Sequence, residues 1–195
     1  MIAGHFGLAA AVKARRPNVP LYGLMLATAW LDIVFVPLLL TGAEGLSKAP
    51  DAQAAGYGAA FIHAWYTHSL LGALVLSAIF GAFFAPRYGR AAAVVVGAVA
   101  FSHWLLDLIV HRPDLPLLPA NAFNLPLLGL GLWRYPLVSA GLELLIVLTG
   151  FGLYWQAAVA ANRRAAKSVS LAHAIGGAAL AAGIVVLAID FLSPG

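Results

Sequence analysis

From Pro20 to Thr41 the chain carries a single formal charge, Asp32, and four more runs of this kind follow at 59–86, 91–111, 135–157 and 169–192. A helix needs about 20 mostly apolar residues to cross a hydrocarbon core about 30 Å thick. In that solvent the backbone must satisfy its own hydrogen bonds, which favours helices. Of the 195 residues 9% are charged and 63% hydrophobic, against about 25% and 45–50% in soluble domains. A soluble globule, a disordered tail and a fibre are excluded. The expected fold is an all-α membrane protein with one domain over residues 1–195. It would be a bundle of about five transmembrane helices with two additions. One is a short N-terminal half-helix at 2–13, closed by Pro17 and Pro20. The other is a re-entrant or interfacial loop at 113–133, interrupted by Pro116, Pro119, Pro126, Gly129 and Gly131.

The first apolar stretch precedes Lys13, Arg15 and Arg16, whereas a cleavable signal has its charges first. If those residues lie inside, alternating spans place Arg87, Arg90, Arg163, Arg164 and Lys167 inside too, leaving Lys48, Arg112 and Arg134 outside. Basic residues favour the inner side, so this orientation is expected. The net charge of +4 comes without basic runs interleaved with aromatics, and no nucleic-acid partner is expected. Cysteine is absent, so a metal would rest on His, Asp and Glu.

An ionisable side chain inside a bilayer costs on the order of 3 kcal/mol on insertion scales and calls for a reason. Counted from the inner helix ends at about 1.5 Å per residue, Asp32 and His103 lie about 18 Å deep, Glu143 about 21 Å, Asp107 about 24 Å and His68 about 27 Å. Five ligand-type residues on four helices share one slab, toward the outer face. His103, Asp107 and His111 at i, i+4 and i+8 fall along one helical stripe. His63 and His68 at i, i+5 diverge by about 140° on a regular helix and converge only if the helix starts between them or His63 sits in the preceding turn. His5, about 12 Å up from the inner end, sits where a half-length helix begins inside the bundle. His173 is expected to be structural. Asp190, Asp51, Asp114 and Glu44 are expected at solvated ends or in loops, and Trp30, Trp104, Trp133 and Trp155 as packing or interfacial anchors. For Glu143 three roles stand open: ligand of a second metal, general base, or interhelical hydrogen bond.

The segments GHFGLA (4–9), THSLL (67–71) and SHWLLDL (102–108) resemble, in that order, the YdjM-like family of bacterial membrane-bound metal-dependent hydrolases. That family is distantly similar to zinc-dependent phospholipase C. The resemblance implies metal ligation by His5, Asp32, His68, His103 and Asp107, with His111 and Glu143 for the later His and Glu of a multinuclear site. Where the family often carries Pro-Asp-x-Asp, this chain has Ala29-Trp30-Leu31-Asp32, one acid fewer. Where it often has His-Arg-Gly, this chain has His63-Ala64-Trp65.

The expected cofactor is a divalent transition metal, Zn first with Mn or Fe as alternatives, in one to three ions. Such an ion lowers the pKa of bound water from 15.7 to about 7. The expected activity is hydrolysis of an ester, a phosphoester first, in a membrane lipid or lipid-linked substrate. Asp32 or Glu143 would be the general base if not a ligand, and loop 113–133 a lip over the entrance. The alternative is a metal- or proton-carrying transporter using the same cluster. That reading needs polar residues continuing to the inner face, where only His5, His173 and small hydroxyls are available.

Overall fold

The computed structural model describes residues 1–48 and 60–192. Among them are helices α1 (Ile2–Arg15), α2 (Leu21–Thr28), α3 (Trp30–Leu40), α4 (Leu70–Ala82), α5 (Ala85–Val110), α6 (Pro136–Arg164) and α7 (Ser170–Leu192). Strands β1 (Gly45–Lys48) and β2 (Ala60–His63) pair antiparallel, Gly45 opposite His63 and Lys48 opposite Ala60. The expected Asp51 position and most of loop 42–58 lie outside the described residues.

The helical character stands, but the span count is lower than five. Among the described residues, α5, α6 and α7 are long and apolar enough to cross a membrane, and α2 with α3, bent by 46°, count as a fourth if the pair is one span. Helix α4 has 13 residues, about 20 Å of rise, against a core of about 30 Å. The helix expected over 59–86 is shortened at both ends. Residues 60–63 are extended and pair with β1. The helix then starts only after Ser69, whose hydroxyl accepts from the Gly72 amide at 3.0 Å, an N-cap that satisfies a free first-turn donor. At the far end α4 stops at Ala82, and Pro86 lies in the first turn of α5, where its missing N–H is no loss.

The expected single helix over 20–41 breaks at Ala29 (φ −100°, ψ 2°), while Pro37 is carried inside α3. The break leaves the Thr28 carbonyl without its helical donor, and the cluster described below uses it. The 113–133 segment is a packed cover. Leu115 pairs with Leu128, and the Pro116 and Leu117 carbonyls accept from Leu70 and Leu71 at 2.9 and 3.2 Å, occupying first-turn donors of α4.

Helix α1 has 14 residues and lies inside the bundle against α6. Glycines permit the approach: a Cβ on Gly7 would lie 2.8 Å from the Ile146 carbonyl oxygen, and one on Gly150 would overlap the Gly7 carbonyl. Small residues at such crossings let backbones meet in a membrane, where packing drives association. The buried residues Ala9, Val19, Leu24, Ala27, Phe80, Phe84, Ala92, Val96, Val99 and Ala100 form an apolar core at the end of the bundle where α1 leaves and α2 enters.

Two alanine substitutions on α6 should therefore differ in sign. Gly152→Ala meets open space and should stabilise by up to about 1 kcal/mol through helix propensity. Gly150→Ala should destabilise by about 1–3 kcal/mol through overpacking. Thermal unfolding of the detergent-solubilised protein reads both. Equal shifts would mean that α1 and α6 are not in backbone contact.

Candidate metal centre

Helix ends surround one buried cluster. His5 is in the first half of α1, and Asp32 is in the first turn of α3. His68 directly precedes the Ser69 cap of α4, His103 and Asp107 lie one turn apart on α5, and His111 follows its last residue. His5, His68, His103, Asp107 and His111 are all buried. The Asp32 side chain is 51% exposed and forms the open side of the cluster.

Each of three imidazoles is oriented from behind. His103 Nδ1 donates to the freed Thr28 carbonyl at 2.6 Å. His111 Nδ1 donates to Asp114 Oδ1 at 2.9 Å. The Thr67 hydroxyl donates to the Glu44 carboxylate, 2.9 and 3.0 Å from its two oxygens, and so accepts from His68 Nδ1 at 2.9 Å. A carbonyl or carboxylate can only accept, and a hydroxyl has one hydrogen to give. The Nδ1 atoms therefore carry the protons, and in the neutral rings the Nε2 lone pairs face inward. This is the arrangement in which a histidine ligates a metal through one nitrogen while the other is held by an outer carboxylate or carbonyl.

The inward atoms converge. His68 Nε2 and His103 Nε2 are 3.3 Å apart, and Asp32 Oδ1 lies 3.5 and 3.6 Å from them. Bonds of about 2.0–2.1 Å at tetrahedral angles separate neighbouring donors by about 3.3–3.4 Å. The three atoms thus nearly form one face of a tetrahedral site. Asp107 lies beside it, Oδ2 3.0 Å from His103 Nε2, 3.7 Å from His68 Nε2 and 3.8 Å from His111 Nε2. Asp107 Oδ1 is 3.2 Å from His5 Nε2. His5 stacks on His103 with ring centroids 4.0 Å apart, and its buried Nδ1 has no hydrogen-bond partner. Two donor sets result, Asp32–His68–His103 and His5–His103–Asp107, each able to hold a metal ion. His103 has one free nitrogen, so only one ion can take it.

The expected site residues are accounted for as follows. Asp32, His5, His68, His103 and Asp107 come together, and His111 reaches the group from just beyond the helix. Glu143 is buried on α6, and its Oε1 accepts from the Gly4 amide at 2.9 Å. It caps the start of α1 and thereby positions His5, and it belongs to neither donor set. His63 stays apart, accepting from or donating to Ser47 at 2.8 Å on the hairpin, because the helix begins only after Ser69. His173 pairs with the Trp155 indole, which donates to its Nδ1 at 3.0 Å.

Two acids expected in solvent are buried instead. Glu44 accepts from the Tyr66 and Thr67 amides, each at 2.8 Å, as well as from the Thr67 hydroxyl. Asp114 holds His111 and accepts from the Ile62 amide at 3.3 Å. A signal for Asp114 exists in its i, i+3 spacing from His111. Glu44 acts across 23 residues, and nothing local marks it.

Outer-shell partners of metal-bound histidines are worth about 10–100-fold in affinity. Glu44→Gln and Asp114→Asn should each weaken divalent-metal binding by about that factor, read by competition with a chromophoric chelator; unchanged affinity in both would dissociate these acids from the cluster. Comparison of the chain with family models, with curated proteins and with solved structures gives no significant match.

Proposed function

We propose that the chain is a metal-dependent membrane hydrolase that cleaves an ester, a phosphoester first, in a lipid or lipid-linked substrate. One observation carries this reading: the tetrahedral-type face formed by His68 Nε2, His103 Nε2 and Asp32 Oδ1. Two Nε2 atoms 3.3 Å apart share a cation, either a proton that makes one ring the donor or a metal ion held by both, and the Asp32 oxygen completing the face favours the metal. The donor set, nitrogen and carboxylate without sulfur, suits Zn, Mn or Fe. A divalent ion held there would supply a Lewis acid and acidify water to near neutrality. The other donor set, His5–His103–Asp107, shares His103 with this one, so the two describe alternative positions for one ion. The YdjM-like resemblance of residues 4–9, 67–71 and 102–108 agrees with this assignment.

The chain's own residues set the rest of the chemistry. Asp32 is the exposed member of the cluster, so its free carboxylate oxygen is the group best placed to take a proton from an attacking water. It lies on α3, where Leu31 is the single buried residue and Ile33, Val36 and Leu40 are exposed. A substrate with acyl chains would approach along that apolar face. The transporter reading finds less support. Toward the end where α1 leaves the bundle, the space beyond the cluster is filled by Ala9, Leu24, Ala27, Val96, Val99 and Ala100. An ion path needs polar groups there. The YdjM-like resemblance implies a bacterial inner membrane, and if α4 together with residues 60–69 before it also crosses, the distribution of basic residues puts the cluster toward the outer face.

Elemental analysis with a hydrolysis screen over phospholipid, lipid pyrophosphate and acyl-ester substrates tests the assignment. Wild-type protein should hold at least one transition-metal equivalent and cleave one class. His103→Ala should lose most of the metal and the activity together. Metal retained at the wild-type level in His103→Ala would sink the ligand set. For orientation, Ser47→Cys should react with an impermeant thiol reagent from outside and Lys167→Cys should not; the reverse pattern would invert the topology.

A further inference from the structure

Beside the cluster the structure has a second, uncharged cleft. It measures about 290 Å³ and is lined by Ala43, Trp65, Tyr66, Ala120, Asn121 and Asn124. That volume lies at the lower limit for ligand pockets, suited to one ring-sized group. The cleft and the cluster share a chain segment. Trp65 and Tyr66 run into Thr67 and His68, so the Cα atoms of Tyr66 and His68 are at most about 7 Å apart. Glu44 fixes both, since its carboxylate accepts from the Tyr66 and Thr67 amides. The far wall is tied to the near one by the Ala120 amide, which donates to the Trp65 carbonyl at 2.9 Å.

The wall chemistry limits what fits. No lysine, arginine, aspartate or glutamate lines the cleft. The buried Asn121 Oδ1 has no hydrogen-bond partner, and a buried acceptor left so costs about 1–3 kcal/mol. A ligand that meets this oxygen, once the carboxamide turns toward the cleft, must give it a hydrogen. A phosphate oxygen at neutral pH has none to give, and a trimethylammonium group has no N–H. The indole N–H, the phenol and two carboxamides offer donors and acceptors to several hydroxyls, and the aromatic rings offer apolar faces to a sugar's C–H groups.

We infer that this cleft binds the uncharged, hydroxyl-rich headgroup of the substrate lipid, a sugar or comparable polyol, and holds its ester linkage toward His68 and Asp32. The inference rests on the hydrolase reading, which it narrows to lipids bearing a glycosyl-type head.

The test uses the full chain in a detergent without a sugar head, titrated with monoglucosyl diacylglycerol, phosphatidylcholine or phosphatidylethanolamine, with and without EDTA, and read by native mass spectrometry. The glucosyl lipid should bind at least about tenfold tighter than the other two, with or without metal. Asn121→Gly suits the left-handed backbone there (φ 47°) and should remove about tenfold of that affinity, the worth of one buried hydrogen bond. Tyr66→Phe and Asn124→Ala, independent of that backbone, should weaken it in the same direction, with metal content unchanged in all three. Equal binding of phosphatidylcholine or phosphatidylethanolamine, or wild-type affinity in all three variants, overturns the inference. Glucosyl-lipid binding with no hydrolysis of any phospholipid, lipid pyrophosphate or acyl-ester substrate leaves the headgroup site standing and removes the hydrolase reading. Hydrolysis without headgroup selectivity does the opposite.

Discussion

The 2.6 Å hydrogen bond from His103 Nδ1 to the Thr28 carbonyl joins the two unusual features of this chain. A continuous helix over 21–40 would have used that carbonyl internally. Breaking it at Ala29 costs helical hydrogen bonds in a setting where backbone groups find few other partners. The imidazole replaces the missing donor, and the same bond turns its other nitrogen toward Asp32, His68 and Asp107. The break also places Asp32 in the first turn of a new helix, where a carboxylate interacts favourably with the helix dipole. Backbone and cluster satisfy each other, and neither arrangement would be stable in an apolar bundle alone.

The same economy recurs at the other helix ends. The Gly4 amide at the start of α1 is taken by Glu143. The first-turn amides of α4 are taken by Ser69, Pro116 and Leu117. Short helices starting at mid-depth expose donors that lipid cannot satisfy. Here side chains and the loop cover satisfy them, so the cluster sits where polar groups had to be gathered in any case.

Much of the cluster was legible because the chain has so few ionisable groups. Asp32, His103 and Asp107 stand out against apolar neighbours, and the i, i+4 spacing of the last two survives intact on α5. His68 lies at the depth of the cluster although it is not on a helix begun at 59: it sits in a turn held by the Trp104 indole, which donates to its carbonyl at 2.8 Å. The break at Ala29 was hidden because no proline or glycine marks it, while the visible Pro37 breaks nothing. Glu44 and Asp114 were misread for a physical reason. A charge in a loop normally solvates, and only tertiary contact with Thr67 and His111 turns these two into buried acceptors. Glu143 stands out by its isolation in α6, yet it accepts from a backbone amide on a helix distant in sequence.

The apolar core between the cluster and the end where α1 leaves the bundle has a consequence for supply. A hydrated divalent ion cannot cross a packed layer of alanine, leucine and valine, since shedding its water there would be far more costly than any transient contact could offset. An ion that fills the cluster would enter at its open side, past Asp32, where the side chain is exposed. Loading would thus draw on the metal pool of the compartment facing that opening. A shortage confined to that compartment would empty the site even while the opposite side of the membrane stayed replete.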